Sequence, residues 1–253
     1  MMNMKELYIE FAKKFGIAVA IFAIVFVALA IGEHCLGKQL MTWSSPAFVI
    51  GFVASIIGVA YVLTVSNPKN YLGFYGGIVM AALLAVQFWL NKQFDLVVLY
   101  LAIFIPFLTR SIIVWKRSNQ QQATGDRQQT TEELKPAWLN KRALVITLFI
   151  ACAIIVCDYV LGTRVIYKDM WTDRILIKLL GAGQICSSAL AHYWLIHKKT
   201  DAWIWWVIYS VLGIVFYAIL PEPNIFLVVL SIVFLIVNGS ALIAWIKITP
   251  RHV

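Results

Sequence analysis

The sequence predicts an all-α integral membrane protein with about eight transmembrane helices, and three observations carry that prediction. Of 253 residues, 62% are hydrophobic and only 13% charged, with a mean hydropathy of +0.84; a soluble domain carries about 25% charged residues. The apolar residues fall in runs of roughly 20, the length that spans a hydrocarbon core of about 30 Å. Lysine and arginine crowd onto alternate loops, as they do when cytoplasmic loops hold the excess positive charge.

Eight runs qualify: 15–31, 46–65, 71–90, 95–115, 143–161, 172–196, 202–220 and 225–246. Over such lengths in lipid, only a helix satisfies its own backbone groups. The first run follows a basic segment and contains "ALA" at 28–30, which resembles a signal peptidase site. Glu6 and Glu10 in the same region favour a retained helix over a cleaved leader. The later runs are separated by short breaks, "SNPKN", "NKQF" and "PEPN". The fourth and fifth are separated by 116–142, a polar, Gln-rich stretch that reads as a flexible connector.

Placing the N-terminus on one side collects fourteen basic residues there: Lys5, Lys13, Lys14, Lys69, Lys116, Arg117, Arg127, Lys135, Lys141, Arg142, Lys198, Lys199, Lys247 and Arg251. The other side has five, Lys38, Lys92, Arg164, Lys168 and Arg174. Both termini and the connector are therefore expected in the cytoplasm. The net charge of +9 reads as this asymmetry and not as a nucleic-acid surface, because no basic patch sits on a soluble domain.

The fourth and eighth runs end alike, "FLTRSIIVWKR" at 107–117 and "VNGSALIAWIK" at 237–247, with Trp115 matching Trp245 and Phe104 matching Phe234. A single intervening helix would give both trios the same orientation, which makes a parallel repeat of three plus one plus three. The expected organisation is an N-terminal region with an extra helix (1–45), a first three-helix bundle (46–117), the connector (118–142), a linker helix (143–166), a second bundle (167–248) and a tail (249–253).

Polar groups in hydrocarbon are expensive, so each is a candidate for function. In "GAGQICSSALAHYW", 181–194, Gln184, Ser188 and His192 share a helix face. They line a ligand path or bond a neighbouring helix. Asn238 stands near mid-membrane with the same two readings. Arg110 and Lys178 lie near helix ends, where snorkelling to the interface competes. Asp95 and Asp158 fall at outer ends and read as solvated. In the seventh run Trp203, Trp206 and Ser210 fall on one face, while Trp205 points elsewhere and reads as an interface anchor. Indole walls suit a flat heterocycle, and a cationic one gains further attraction.

Enzyme motifs are missing: there is no Walker A, HExxH, GxSxG or paired-carboxylate pattern. No catalytic residue, metal site or cofactor is expected, and an enzyme would have to work with His192 and His197 alone. Cys35, Cys152, Cys157 and Cys186 lack metal-type spacing.

The stretch "LAHYWLIHKKTDAWIWWVIYS" resembles the PnuC family of bacterial vitamin transporters. The resemblance rests on Ser188, Ala191, the basic pair Lys198 and Lys199, Asp201, and Trp203 with Trp206. It is supported by "NYLGFYGG" from Asn70 and by "VVLYLAIFIPFLTRSIIVWKR" at 97–117. It implies a SWEET-like core of three plus one plus three helices, spanning roughly residues 46–247. It also implies facilitative uptake of a nucleoside-like vitamin, most of all nicotinamide riboside, trapped by a cytoplasmic kinase. Thiamine, riboflavin and deoxynucleosides are the alternatives, and a sensor or structural subunit is a different class of reading. The implied site is Trp203 and Trp206 as a clamp, with Gln184, Ser188, His192, Ser210 and Asn238 as polar partners. Tyr100 stands where the family's first half carries a polar reader, and Ser210 and His192 are departures from its amide or acidic residues. The implied partners are a small-molecule substrate and the bilayer of a bacterial inner membrane, with homo-oligomer formation left open.

Overall fold

The structure, a computed structural model, describes residues 4–37, 44–91, 94–124, 136–161, 175–220 and 224–249. Among them every regular element is a helix, apart from one isolated parallel bridge between Ala137 and Lys199. The helices are α1 (Met4–Leu36), α2 (Pro46–Val65), α3 (Gly73–Leu90), α4 (Phe94–Val98), a π-helical turn π1 (Leu99–Phe104), α5 (Ile105–Thr124), α6 (Lys141–Leu161), α7 (Ile175–Ile196), α8 (Asp201–Ile219) and α9 (Ile225–Ile248). Seven spans are long and apolar enough to cross a membrane, with Leu96–Gln120 running through α4, π1 and α5. Helix α6 carries the remaining apolar run expected from the sequence.

Helices α2, α3 and α5 pack together, as do α7, α8 and α9; α1 lies on α2 and α6 on α7. The two groups meet where α2 touches α9 and α5 touches α7. Small residues set the spacing. A Cβ on Gly77 would come 3.1 Å from Leu108 and 3.2 Å from Tyr61, so the absent side chain lets α3 close on both. The outward side chains of α1 and α6, among them Ile24, Val145 and Phe149, are exposed apolar groups of the kind lipid solvates.

Helix α5 continues past Trp115 into the Gln-rich stretch as far as Thr124. The sequence reading ended that span at 115 because charge and amide groups take over there. Lys, Arg, Gln and Ala are good helix formers, and no Gly or Pro intervenes before Gly125. Residues 125–135 of the expected connector, and the side chains of Asp95, Cys157 and Asp158, lie outside the described residues.

The two helix groups are fastened at the end that holds the termini. Trp115 donates its indole N–H to the Leu195 carbonyl at 3.1 Å. Trp245 donates to the Ser66 carbonyl at 2.7 Å. Each bond runs from the last helix of one group to the end of the first helix of the other. The two rings lie 6.1 Å apart, and Phe74 and Trp203 close the cluster edge-on from either side at 4.8 and 5.7 Å. Lys198 turns inward here, at 2% exposure, with a left-handed φ of +50°. Its ammonium lies 5.1 Å from the centroid of Trp115 and donates to Ser118 Oγ and Asn119 Oδ1. Asn119 in turn donates to the Lys69 carbonyl at 2.7 Å. On the outer side of the same turn, Ala137 exchanges backbone bonds with Lys198 and Thr200, and Asp201 accepts from the Leu139 N–H. Helix α1 ties the opposite loop: Glu10 accepts from the amides of Asn67 and Asn70.

Trp245→Phe keeps an aromatic ring in the cluster but strands the Ser66 carbonyl. It should lower unfolding stability by about 1–3 kcal/mol, read as a fall in Tm in detergent micelles; Trp115→Phe should cost less, because the Leu195 carbonyl keeps the Lys198 N–H.

Candidate functional site

A cavity of about 490 Å³ lies between the two helix groups, within the roughly 300–1,000 Å³ of small-molecule sites. Its walls come from α2, α3, π1, α7, α8 and α9. It extends to Asn91 at the end of α3, Lys178 near the start of α7 and Asn224 at the start of α9. All three stand at the end of the bundle away from the termini, so the cavity faces that end and stops above the tryptophan cluster.

Helix α7 supplies the polar wall. Gln184, Ser188 and His192 recur every four residues and all line the cavity, as their shared face predicts. Next to them, Gly213 lets Gln184 of α7 and Ser231 of α9 converge on α8. A Cβ there would come 2.8 Å from both Gln184 Nε2 and Ser231 Oγ. His192 accepts ring contact from both sides. Phe104 stacks on it at 4.5 Å, and Trp206 meets it edge-on at 4.7 Å. Its Nδ1 lies 2.9 Å from the Ser188 carbonyl. A carbonyl only accepts, so Nδ1 carries the proton.

The aromatic wall is built from both groups. Trp206 and Tyr209 come from α8, with rings 5.6 Å apart. Tyr100 sits in π1, between Phe88 and Phe104 at 5.4 and 4.7 Å. A π turn shifts the register of the helix face, and such turns are frequent at functional sites. Here it brings Tyr100 and Phe104 onto the cavity.

Three expected site residues stand elsewhere. Trp203 is fully buried against Trp245, one turn closer to the termini than Trp206, so the two do not face each other across the cavity. Ser210 and Asn238 are fully buried behind Trp206. Ser210 donates to the Trp206 carbonyl at 2.9 Å, and Asn238 donates to Ser210 Oγ at 3.1 Å, which bonds α8 to α9. Trp205 is half-buried and packs toward the Ala151, Cys186 and Leu190 cluster between α6 and α7. Of the basic edge, Lys198 is buried. His197 is held below its ordinary pKa, first by burial and then by Arg110 and Lys199, so it stays uncharged at neutral pH. Arg110 is exposed, whereas Lys178 is half-buried and lines the mouth of the cavity.

Among the lining residues that escaped the sequence reading are Gln87 and Tyr61. Gln87 is a polar group inside an apolar run, and the rule that singled out Gln184 applies to it equally. Its side chain packs against Gly51, where a Cβ would collide with the amide. Tyr61 reads in sequence as one more core aromatic in "IIGVAYVLTV", and no pattern marks it.

An aromatic-walled cavity between two groups of membrane-length helices, opening toward one end of the bundle, is an arrangement that suits a membrane transporter. The chain belongs to the nicotinamide mononucleotide transporter family, whose model matches residues 48–247. It is therefore a transporter and not an enzyme. A solved structure, the crystal structure of the vitamin B3 transporter PnuC, has the same fold. It aligns with a TM-score of 0.60 over 98% of this chain and 93% of that chain, at 14% identity. No curated protein matches the sequence.

Gly213→Ala should cost about 1–3 kcal/mol, because Gln184 or Ser231 must give way. That exceeds the roughly 1 kcal/mol gained in helix propensity. Gly181→Ala, whose Cβ would meet only Phe216 at 3.6 Å, should keep that gain. Thermal melts of the two variants check the contrast.

Proposed function

We propose that the protein carries out facilitative uptake of a nucleoside-like vitamin, with nicotinamide riboside as its substrate. The observation that carries this reading is the composition of the cavity, which presents aromatic faces on one side and a file of amide, hydroxyl and imidazole groups on the other. A flat heterocycle stacks on indole and phenol rings, and a cationic ring gains further from their electron-rich faces. A ribose needs hydrogen-bonding partners at its edge, and Gln184, Ser188 and Gln87 stand there. Trp203, Ser210 and Asn238 then act by holding Trp206 in place. The similarity in fold to a vitamin B3 transporter supports the same substrate class.

The core is read as two three-helix bundles related by a parallel repeat, with α6 as the linker and α1 as an extra helix. The exchanged tryptophan bonds support this. Trp115 and Trp245 hold equivalent places in their bundles, and each donates to the end of the other bundle's first helix. The positive-inside rule puts both termini and the tryptophan cluster at the cytoplasmic face of a bacterial inner membrane. The cavity is then open to the outside, and the two bundles rock about it to release substrate inward. Phosphorylation by a cytoplasmic kinase would trap the product and make uptake net. A structural subunit has no use for such a cavity, whereas the replacement of family amide or acidic residues by Ser210 and His192 favours testing other vitamins alongside.

The test is uptake of labelled nicotinamide riboside, thiamine, riboflavin and deoxynucleosides into proteoliposomes. Nicotinamide riboside should accumulate to equilibrium. Trp206→Ala should weaken its apparent affinity about 5- to 150-fold, the range for losing one stacking contact of about 1–3 kcal/mol. No transport of any of the four above empty vesicles sinks the proposal. Transport of another compound alone replaces the substrate and keeps the carrier.

A further inference from the structure

Gln184 is 7% exposed, and its side-chain amide makes no hydrogen bond to another described residue. The buried polar atoms that lack both a partner and open surface belong to Tyr61, His192, Trp194, Trp203 and Asn238. Gln184 is not among them, so its unbonded amide keeps surface open, and the residue lines the cavity. Polar groups this deeply placed are normally bonded, which leaves the cavity to supply the partner. Ser188, one turn along the same face, is in the same position at 3% exposure. By contrast Ser187, Ser210 and Ser231 each donate to the carbonyl four residues back.

Gly213 of α8 fixes what stands beside the Gln184 amide. A Cβ built there would come 2.8 Å from Gln184 Nε2 and 2.8 Å from Ser231 Oγ. The two atoms are therefore at most twice that distance apart, yet they do not bond each other. One oxygen between them reaches both. Ser231 also lines the cavity, at 8% exposure. Its proton goes to the Leu227 carbonyl at 2.8 Å, so its oxygen presents lone pairs. Gln184 presents N–H groups from the other side. A single oxygen that accepts from Gln184 and donates to Ser231 is a hydroxyl. A carbonyl or carboxylate oxygen has no proton for Ser231, and an ammonium has no lone pair for Gln184.

We propose that Gln184 and Ser231 are specificity-determining residues that together read one hydroxyl of the substrate's sugar. Gly213 lies two turns of α8 beyond Trp206, about 10 Å of helix rise. What reaches the pair is thus the end of the substrate away from the ring stacked at Trp206. All three helices involved, α7, α8 and α9, pack in one group, so the subsite stays intact while the groups move against each other. The aromatic wall is shared between the groups, whereas the sugar is held by one. This assignment rests on the proposed riboside substrate and deepens it by naming the atoms that distinguish it from sugars lacking that hydroxyl.

The experiment is isothermal titration of the purified full chain in nanodiscs with nicotinamide riboside and its 2′-deoxy, 3′-deoxy and 5′-deoxy analogues. On the wild type, one analogue should bind about tenfold or more weakly than the riboside, the effect of losing a bonded hydroxyl and stranding its partners. Ser231→Ala and Gln184→Leu should each weaken the riboside and leave that analogue nearly unchanged, so its penalty shrinks to about threefold or less. The penalties of the other two analogues should stay as they are. A merely structural role moves all four ligands together. Binding of all three analogues as tightly as the riboside, or an undiminished penalty in either variant, overturns the assignment and leaves the carrier reading standing. Binding of none of the four, with binding of thiamine, riboflavin or a deoxynucleoside, overturns the substrate reading and this assignment with it.

Discussion

The architecture depends on a crossed pair of hydrogen bonds, Trp115 to Leu195 and Trp245 to Ser66. In hydrocarbon, helices gain little from apolar contact with one another, because lipid tails are equally apolar. Directional contacts then decide which helix ends stay together. Here they are two indole N–H groups given to carbonyls where α2 and α7 end, of which Leu195 also accepts the Lys198 N–H. The carbonyls at the ends of those helices need donors in any case. The two halves meet that need for each other, and the inward-turned Lys198 adds its ammonium to the same junction.

The cavity follows from that fastening. Beyond the fastened end, the space between the helix groups is lined by the faces that α2, α7 and α8 turn inward. On α7 that face repeats every four residues and is polar. On α8 it is Trp206 and Tyr209, steadied from behind by the bonds of Ser210 and Asn238. The tryptophan-rich start of α8 therefore divides its labour along the helix axis. Trp203 seals, Trp206 faces the cavity and Trp205 packs between α6 and α7.

The spans were legible in the sequence because length and hydropathy suffice in a solvent that allows only helices. The polar face of α7 was legible for the same reason, since a four-residue recurrence needs no partner to be seen. The extension of α5 to Thr124 was not, because polarity ended the span while helix propensity did not. The fates of Trp203, Ser210 and Asn238 were hidden because a helix face shows direction but not depth along the axis. Only the position of Trp245 on α9 decides that Trp203 is covered. Tyr61 was invisible, since an aromatic in an apolar run gains meaning only when its hydroxyl is found without a partner beside a cavity.

The most direct test of the account is substrate protection of a single thiol in the cavity wall. Ser55 lines the cavity, donates to the Gly51 carbonyl of its own helix, and differs from cysteine by one atom. With the native cysteines replaced, Ser55→Cys in oriented vesicles should react with a membrane-impermeant thiol reagent added from the side opposite the termini. Nicotinamide riboside should slow that reaction in proportion to site occupancy. Reaction from the terminus side alone, or reaction unchanged by saturating substrate, would contradict the account.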